Sequence, residues 1–321
     1  MHKHSVTSLF AGCGGLDLGF KGGFVVGNTQ YDPLPFDIQW ANDFAKGACA
    51  SYKHNIGDHI HHGDITEILK NPHQHRVPLN SDVVLGGFPC QAFSLSGKQK
   101  GFDDSRGKLY LAMRDMVANQ QPKIFVAENV KGLLSHKKGD TFKTIIQDFE
   151  AIGYHISWKL YKAFEHGVCQ TRERVIVVGT RQDIPTFVHK PKQHTPPTLK
   201  TLLGDLETVD EGGFPNHHWS KARKNKGQGN TTIPEHGLGP TMRAEHHGNI
   251  EFHYLGHRRL SAREAARIQS FPDDFVFQGS TSDAYKQIGN AVPPVLGWHI
   301  AEQIASHLEG HKTQNKNTTP V

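Results

Sequence analysis

The sequence predicts an α/β fold: a doubly wound, mostly parallel, Rossmann-like sheet joined to a smaller, irregular or β-rich domain. Three observations carry that expectation. Short apolar strands alternate with helical stretches as far as about Arg181, and a glycine-rich turn follows the first strand. The texture then changes, with Pro, Gly, His and Lys dominating to about Gly256.

The elements follow in order. Ser5–Phe10 reads as a strand, followed by the turn and a short helix. Phe36–Asn42 is the second strand, with a helical stretch after it through His54. His59–Asp64, Asp82–Gly86 and Lys123–Glu128 are the third, fourth and fifth. Phe142, Ile145, Ile146 and Phe149 fall at i, i+3, i+4, i+7, one face of a helix. Val175–Gly179 is a further buried strand. Ser261 through Glu264 forms a capping box that opens a helix containing Ala265, Ala266 and Ile268. The segment 27–37 exceeds a tight helix-to-strand connection and reads as a surface insertion, and the polar tail 311–321 reads as frayed.

Composition narrows the class. With 321 residues, 36% of them hydrophobic, the chain can build a large core and two domains. Eighteen Phe, four Trp and seven Tyr exclude wholesale disorder. A mean hydropathy of -0.52, with no apolar run near ~18 residues, excludes a membrane span. The N-terminus lacks a signal-peptide core, so a cytoplasmic location is expected. Cys13, Cys49, Cys90 and Cys169 are far apart, with no CxxC pair, which fits a reducing compartment. The 23 histidines are scattered, so no resident metal is expected. The net charge of +5, with Lys and Arg clustered at 98–100, 137–138, 221–226 and 257–259, fits a polyanionic partner or a solvated surface equally well.

The turn Phe10-Ala-Gly-Cys13-Gly14-Gly15-Leu16 sits between strand and helix, where a doubly wound sheet binds nucleotide-like ligands. It is neither GxGxxG nor a phosphate loop. The second strand ends in Asp43-Phe44, an acid for ribose hydroxyls and an aromatic for adenine. The third ends in Asp64-Ile65, suited to an adenine amino edge. Together they imply an adenosine-bearing cofactor, without separating NAD from S-adenosylmethionine. The fourth strand then delivers Gly87-Phe-Pro89-Cys90 into the polar loop SLSGKQKGFDDSRG (94–107). A thiol leaving an apolar strand for a Ser/Gly/Lys loop is presented rather than hidden, and cationic neighbours favour its thiolate.

At this point the chain resembles the DNA (cytosine-5) methyltransferases. The glycine-rich turn, GGFPCQAFS, Glu128-Asn129-Val130, Gln170-Thr171-Arg172-Glu173-Arg174, RRLSAREAARIQSFPDDF (258–275) and Gln287 through Pro294 match that family's motifs in order. The match runs from Ser5 to about Leu308, outside the variable stretch 181–240.

The resemblance implies a methyltransferase sheet over residues 1–182, a target-recognition domain over 183–284, and a C-terminal segment, 285–321, returning to the first. It implies S-adenosylmethionine as cofactor. The expected pocket comprises Phe10, Cys13, Gly14, Gly15, Leu16, Asp43, Phe44, Asp64, Ile65, Gly87, Pro89, Leu109, Asn290 and Ala291. Cys90 is the implied nucleophile toward cytosine carbon 6, with Glu128 on the N3 and amino edge and Arg174 on O2. Arg172 is expected on DNA phosphate or the closed loop, and Asn129 as a brace for the loop carrying Pro89 and Cys90. Ser94, Ser96, Lys98, Gln99 and Arg106 are expected at the DNA, where the target base is rotated out of its stack. Double-stranded DNA is the implied partner, with a restriction endonuclease of the same specificity as functional companion and a monomer as default. Ser8 stands where many members carry Asp, a change expected to loosen a local hydrogen bond. A tRNA cytosine-5 methyltransferase is the nearest alternative, and a silent DNA-binding or cofactor-sensing module a more distant one.

Overall fold

The computed structural model describes residues 3–88, 109–191, 193–224, 229–244 and 250–316, with side chains through 311. Its centre is a seven-stranded sheet. β1 (His4–Leu9), β4 (Phe36–Asp43), β5 (Ile60–His62), β6 (Val83–Gly86) and β7 (Ile124–Val130) run parallel. β9 (Glu173–Arg181) lies antiparallel between β7 and β8 (Tyr154–Lys162). The order β5-β4-β1-β6-β7-β9-β8 reverses direction between β1 and β6. Ligands bind at such a switch, because the loops leaving β1 and β6 diverge and open a crevice.

Each face of the sheet is buried. Val6, Leu85, Val126, Ile176 and Val178 join one apolar cluster; Leu9, Val84, Phe125, Val175 and Val177 join the other. A strand buried on both sides must be apolar throughout, which is why these segments read as continuous runs. The second cluster is completed by α4 (Leu109–Gln120) and α5 (Asp140–Ala151), the latter burying Phe142, Ile145 and Phe149 as its periodicity predicts. On the opposite face α1 (Gly15–Lys21) packs against α9 (Pro294–Lys316). The contact is close: a Cβ at Gly19 would lie 2.6 Å from the Gly297 backbone.

The segment 27–37 is more than a surface insertion. β3 (Thr29–Tyr31) pairs with β2 (Phe24–Val26), and Tyr31 stacks on Phe24 while meeting Trp298 edge-on. The hairpin thereby clamps the start of α9. β8 was absent from the sequence reading altogether. Tyr154, Ile156, Trp158 and Leu160 alternate with His, Ser, Lys and Tyr, which is the period of a half-exposed edge strand.

Beyond β9 the backbone is irregular. Among the described residues of 183–284, β-pairing is confined to isolated bridges such as Thr232–Phe252 and Phe252–Arg259, not a ladder. α6 (Leu199–Leu203), α7 (Ala262–Ile268) and the beginning of α8 (Thr281–Asn290) supply the regular structure. Leu199, Leu203, Ile233, Met242 and Leu260 belong to the same apolar cluster as the sheet's Val6 and Ile176. The expected boundary at 284/285 falls inside α8. No helix among the described residues is long and apolar enough to cross a membrane.

Candidate active site

The turn after β1 is shaped by left-handed backbone. Phe10, Gly12 and Gly14 have φ of 55°, 58° and 94°. Glycine is the residue that takes such angles without strain. The turn is tied to β4 by its own backbone and by an acid. Ala11 N donates to Asn42 O at 2.9 Å, and the Asp43 carboxylate accepts from Gly12 N and Ala45 N, each at 2.8 Å. Burial raises the Asp43 pKa, while these two N–H groups oppose the shift. Asn42 Nδ2 donates to His61 O and Gly63 O, fixing the end of β5 against β4. Asp64 then caps α3 (Ile65–Ile68), accepting from the N–H and hydroxyl of Thr66.

These strand ends open onto a cavity of about 540 Å³. That volume lies within the range of small-molecule sites, roughly 300–1,000 Å³. Phe10, Cys13, Gly15, Leu16, Asp43, Phe44, Asp64, Ile65, Gly87, Leu109, Asn290 and Ala291 all line it. Phe44 stands at the rim, 74% exposed, available to stack on a flat ligand. Gly14 is the exception. It caps α1 from behind the cavity, and a Cβ there would strike Ile56 and Tyr52, so its role is packing. Cys13 is buried with its thiol toward Gln287 O, and burial drives its pKa up, which leaves it an unreactive thiol. The sequence reading missed Ser8, Asp17, Asn42, Lys286 and Gln287 among the lining residues. Gln287 opens the motif that runs to Pro294, and Asp17 directly follows the glycine-rich turn.

At the end of β7 the same cavity becomes ionic. Glu128 Oε1 lies 2.7 Å from Arg174 Nε, with both side chains nearly buried. The antiparallel register sets this pair: Val130 of β7 faces Arg174 of β9. A Cβ on Gly87 would come within 3.2 Å of Glu128 Oε2, so glycine keeps that carboxylate accessible. Asn129 Nδ2 donates to Phe88 O at 3.1 Å, and its Oδ1 accepts from Val130 N. It therefore holds the carbonyl immediately before Pro89. Pro89, Cys90, Ser94, Ser96, Lys98, Gln99 and Arg106 lie outside the described residues.

Arg172 lies deeper than a surface phosphate contact requires, and the loop it was also expected to hold lies outside the described residues. The arginine is 1% exposed. Its guanidinium donates to Met242 O, Gly289 O and Ala291 O at 2.9–3.1 Å. Burial, with Arg174 nearby, lowers its pKa, so this cation is held by carbonyls rather than by water. Gln170 and Gln269, also missed, extend the same frame: Gln170 Oε1 accepts from Met242 N, and Gln269 Nε2 donates to Ala291 O.

Comparison with known proteins agrees with this geometry. Residues 4–211 and 234–306 match the C-5 cytosine-specific DNA methylase family. The Type II methyltransferase M.NgoFVII of Neisseria gonorrhoeae is 38% identical, over 94% of this chain and 87% of its own length. M.BsuRI of Bacillus subtilis, another Type II methyltransferase, is 36% identical over 95% and 80%. Among solved structures, the S. pombe Dnmt2 methyltransferase superposes with a TM-score of 0.69 at 17% identity, covering 95% of this chain and 99% of that one. A cavity at the switch point, the Glu128–Arg174 pair beside it and a family match along most of its length place this chain among the C-5 cytosine-specific DNA methylases, as a DNA (cytosine-5-)-methyltransferase.

Proposed function

We propose that the cavity binds S-adenosylmethionine and that Cys90, Glu128 and Arg174 methylate carbon 5 of a cytosine rotated out of a short, specific duplex sequence. The observation that carries this reading is continuity: the Glu128–Arg174 pair lines the same cavity as Asp43, Phe44 and Asp64. The donor set suits an adenosine. Asp43, fixed by two backbone N–H groups, retains lone pairs for ribose hydroxyls. Asp64 stands ready for an amino edge, and the glycines let the ligand approach the backbone. When bound, the cofactor supplies an electrophilic methyl group on a cationic sulfur.

The chain's own residues do the rest. The Cys90 thiolate adds to cytosine carbon 6, and the carbon 5–carbon 6 π pair shifts toward carbon 5 and the N3 side. Glu128 hydrogen-bonds N3 and the amino group, while Arg174 meets O2, stabilising the charge that develops there. Carbon 5 takes the methyl, its proton passes to a base, and the carbon 6–sulfur bond breaks to free Cys90. Asn129 positions the strand exit that leads to Pro89 and Cys90. Residues 183–284 read the DNA sequence, and a restriction endonuclease of the same specificity is the functional partner.

The test is bisulfite sequencing of plasmid DNA from a methylation-free host expressing the chain. Protected cytosines in one short repeated context are expected. Complete conversion, with the protein folded and abundant, would overturn the DNA reading. A stable adduct with duplex DNA carrying 5-fluorocytosine is also expected, since fluorine cannot leave as a proton does.

A further inference from the structure

The cavity is bordered by two acids that the reaction above does not use, Asp283 at the exposed start of α8 and Asp17. Asp17, in the first turn of α1, is fully buried. Both its oxygens accept from hydroxyls: Ser8 Oγ to Oδ1 and Tyr52 OH to Oδ2, each at 2.7 Å. Tyr52 OH also lies 3.0 Å from His59 Nε2. Among the described residues, no Lys, Arg or His is one of the groups that act on Asp17. The contrast within the molecule is sharp, because Glu128 is paired with Arg174 and Glu264 with Arg258. Burial raises the Asp17 pKa to about 6, so at neutral pH the group is an ionised carboxylate without a counterion. Such a charge is costly to hold. A cation entering the adjoining cavity would offset part of that cost.

We propose that Asp17 is a positioning residue that reads ligand charge, favouring the cationic methyl donor over the neutral thioether product left after transfer. The inference rests on the cofactor reading above. Donor and product share their adenosine, amino and carboxylate groups and differ by one methyl and one positive charge at sulfur. A fixed anion beside the cavity therefore acts on the difference alone. It holds the reactant and weakens the product, promoting exchange after each turnover. Ser8 belongs to the same device. Its hydroxyl is one hydrogen bond from the acid, so an exchange of the two side chains would keep a carboxylate in the same place.

The experiment is calorimetric titration of the full chain with S-adenosylmethionine and with S-adenosylhomocysteine, repeated on Asp17→Asn. Asparagine keeps the size and can hydrogen-bond both hydroxyls. The expected result is a fall of about tenfold in the ratio of the two dissociation constants, the order set by one charge at short range in a partly solvated site. In the native protein that ratio should also decline as pH falls through about 6, and in Asp17→Asn it should be flat. Tyr52, His59, Cys13 and Asp43 face the same region and are retained in both proteins, so their titration cancels in that comparison. The exchange Ser8→Asp with Asp17→Ser should restore the ratio. Equal weakening of both ligands in Asp17→Asn would assign the residue to packing and overturn the proposal. Failure of the native chain to bind either ligand would overturn the cofactor reading itself, and this inference with it.

Discussion

The two halves of this molecule satisfy their backbones by different means. In the sheet each strand's N–H and C=O groups meet a neighbouring strand; β1, for example, is paired on both sides, with β4 and β6. Side chains there are released to be apolar, and Val83, Val84, Leu85, Ile124 and Phe125 are completely buried. Among the described residues of 183–284 no such ladder exists, and arginines replace it. Arg259 donates to Ala222 O, Gly229 O, Arg223 O and Asn230 Oδ1 at 2.7–3.0 Å, and also to Ile250 O. Arg263 holds Pro215 O, Pro272 O and Phe275 O, and Arg258 grips Glu264 with two bonds of 2.7 Å. A guanidinium offers five N–H donors in one plane, enough to gather several loops at a point. The lesson is a division of labour. Strand ends fix catalytic groups, and arginine hubs frame loops whose outward side chains are not committed to the core.

That comparison predicts that function and stability separate by region. The largest effect should come from the strand end. Glu128→Gln keeps shape but removes the charge facing Arg174 and the cytosine edge, so turnover should fall by roughly 10²–10⁴-fold. The thermal midpoint should fall only modestly, because Arg174 loses its nearly buried partner but still borders the open cavity. Methylation kinetics beside a melting curve check both, and a variant that loses its fold instead would break the comparison.

In the irregular half the same size of effect should appear as stability. Arg259→Met strands several buried acceptors, each costing about 1–3 kcal/mol when left unpaired. A total loss of roughly 3–5 kcal/mol is expected in urea unfolding. Ile176→Val, equally buried in the sheet, should cost only about 1 kcal/mol. Equal losses would mean that the arginines are no more structural than ordinary core.

Legibility in the sequence divides along the same line. β6 and β7 are readable because burial on both faces forces apolar runs, and Glu128 follows one; Asp43 and Asp64 stand out only as acids at the ends of the more polar β4 and β5. β8 is not readable, since an edge strand with one wet face spends half its positions on polar residues. The depth of Arg172 was hidden for a related reason. A buried arginine and a phosphate-binding arginine look alike in sequence, and only the carbonyls of Met242, Gly289 and Ala291, distant along the chain, distinguish them. Ser261 and Glu264 were legible because a capping box is local.

A smaller effect concerns acid. Burial pushes His189, whose Nδ1 lies 2.9 Å from Tyr161 OH of β8, and His253, beside Glu264 and Arg258, down to about 4. Both folded-state values lie below the ordinary 6.5, so the native state favours neutral rings. Their contribution to stability is complete above pH 6.5 and declines as pH falls from there to about 4. Urea midpoints measured across that window should drop, and His253→Gln should show a shallower slope than the native chain. An unchanged slope would place the acid sensitivity on the other buried histidines, among them His189, His59 and His217.

The smallest effects are the most discriminating, because the molecule carries the same motif in two settings. Ser261 caps α7 and Ser280 caps α8, each in a reciprocal box, with Glu264 and Asp283 as partners. Loss of such a serine ordinarily costs about 1 kcal/mol. Ser280 is solvent-accessible, so in Ser280→Ala water replaces the lost bonds and the cost should fall near about 0.5 kcal/mol. Ser261 is completely buried, and its hydroxyl also lies 3.0 Å from His217 Nδ1. Ser261→Ala strands both the Glu264 N–H and that ring nitrogen, so a cost nearer about 2 kcal/mol is expected. Glu264 itself stays in place, held by Arg258, and so the excess measures burial rather than collapse of the hub. If the two substitutions cost the same, local capping governs both helices and the arginine frame adds nothing to the helix it surrounds.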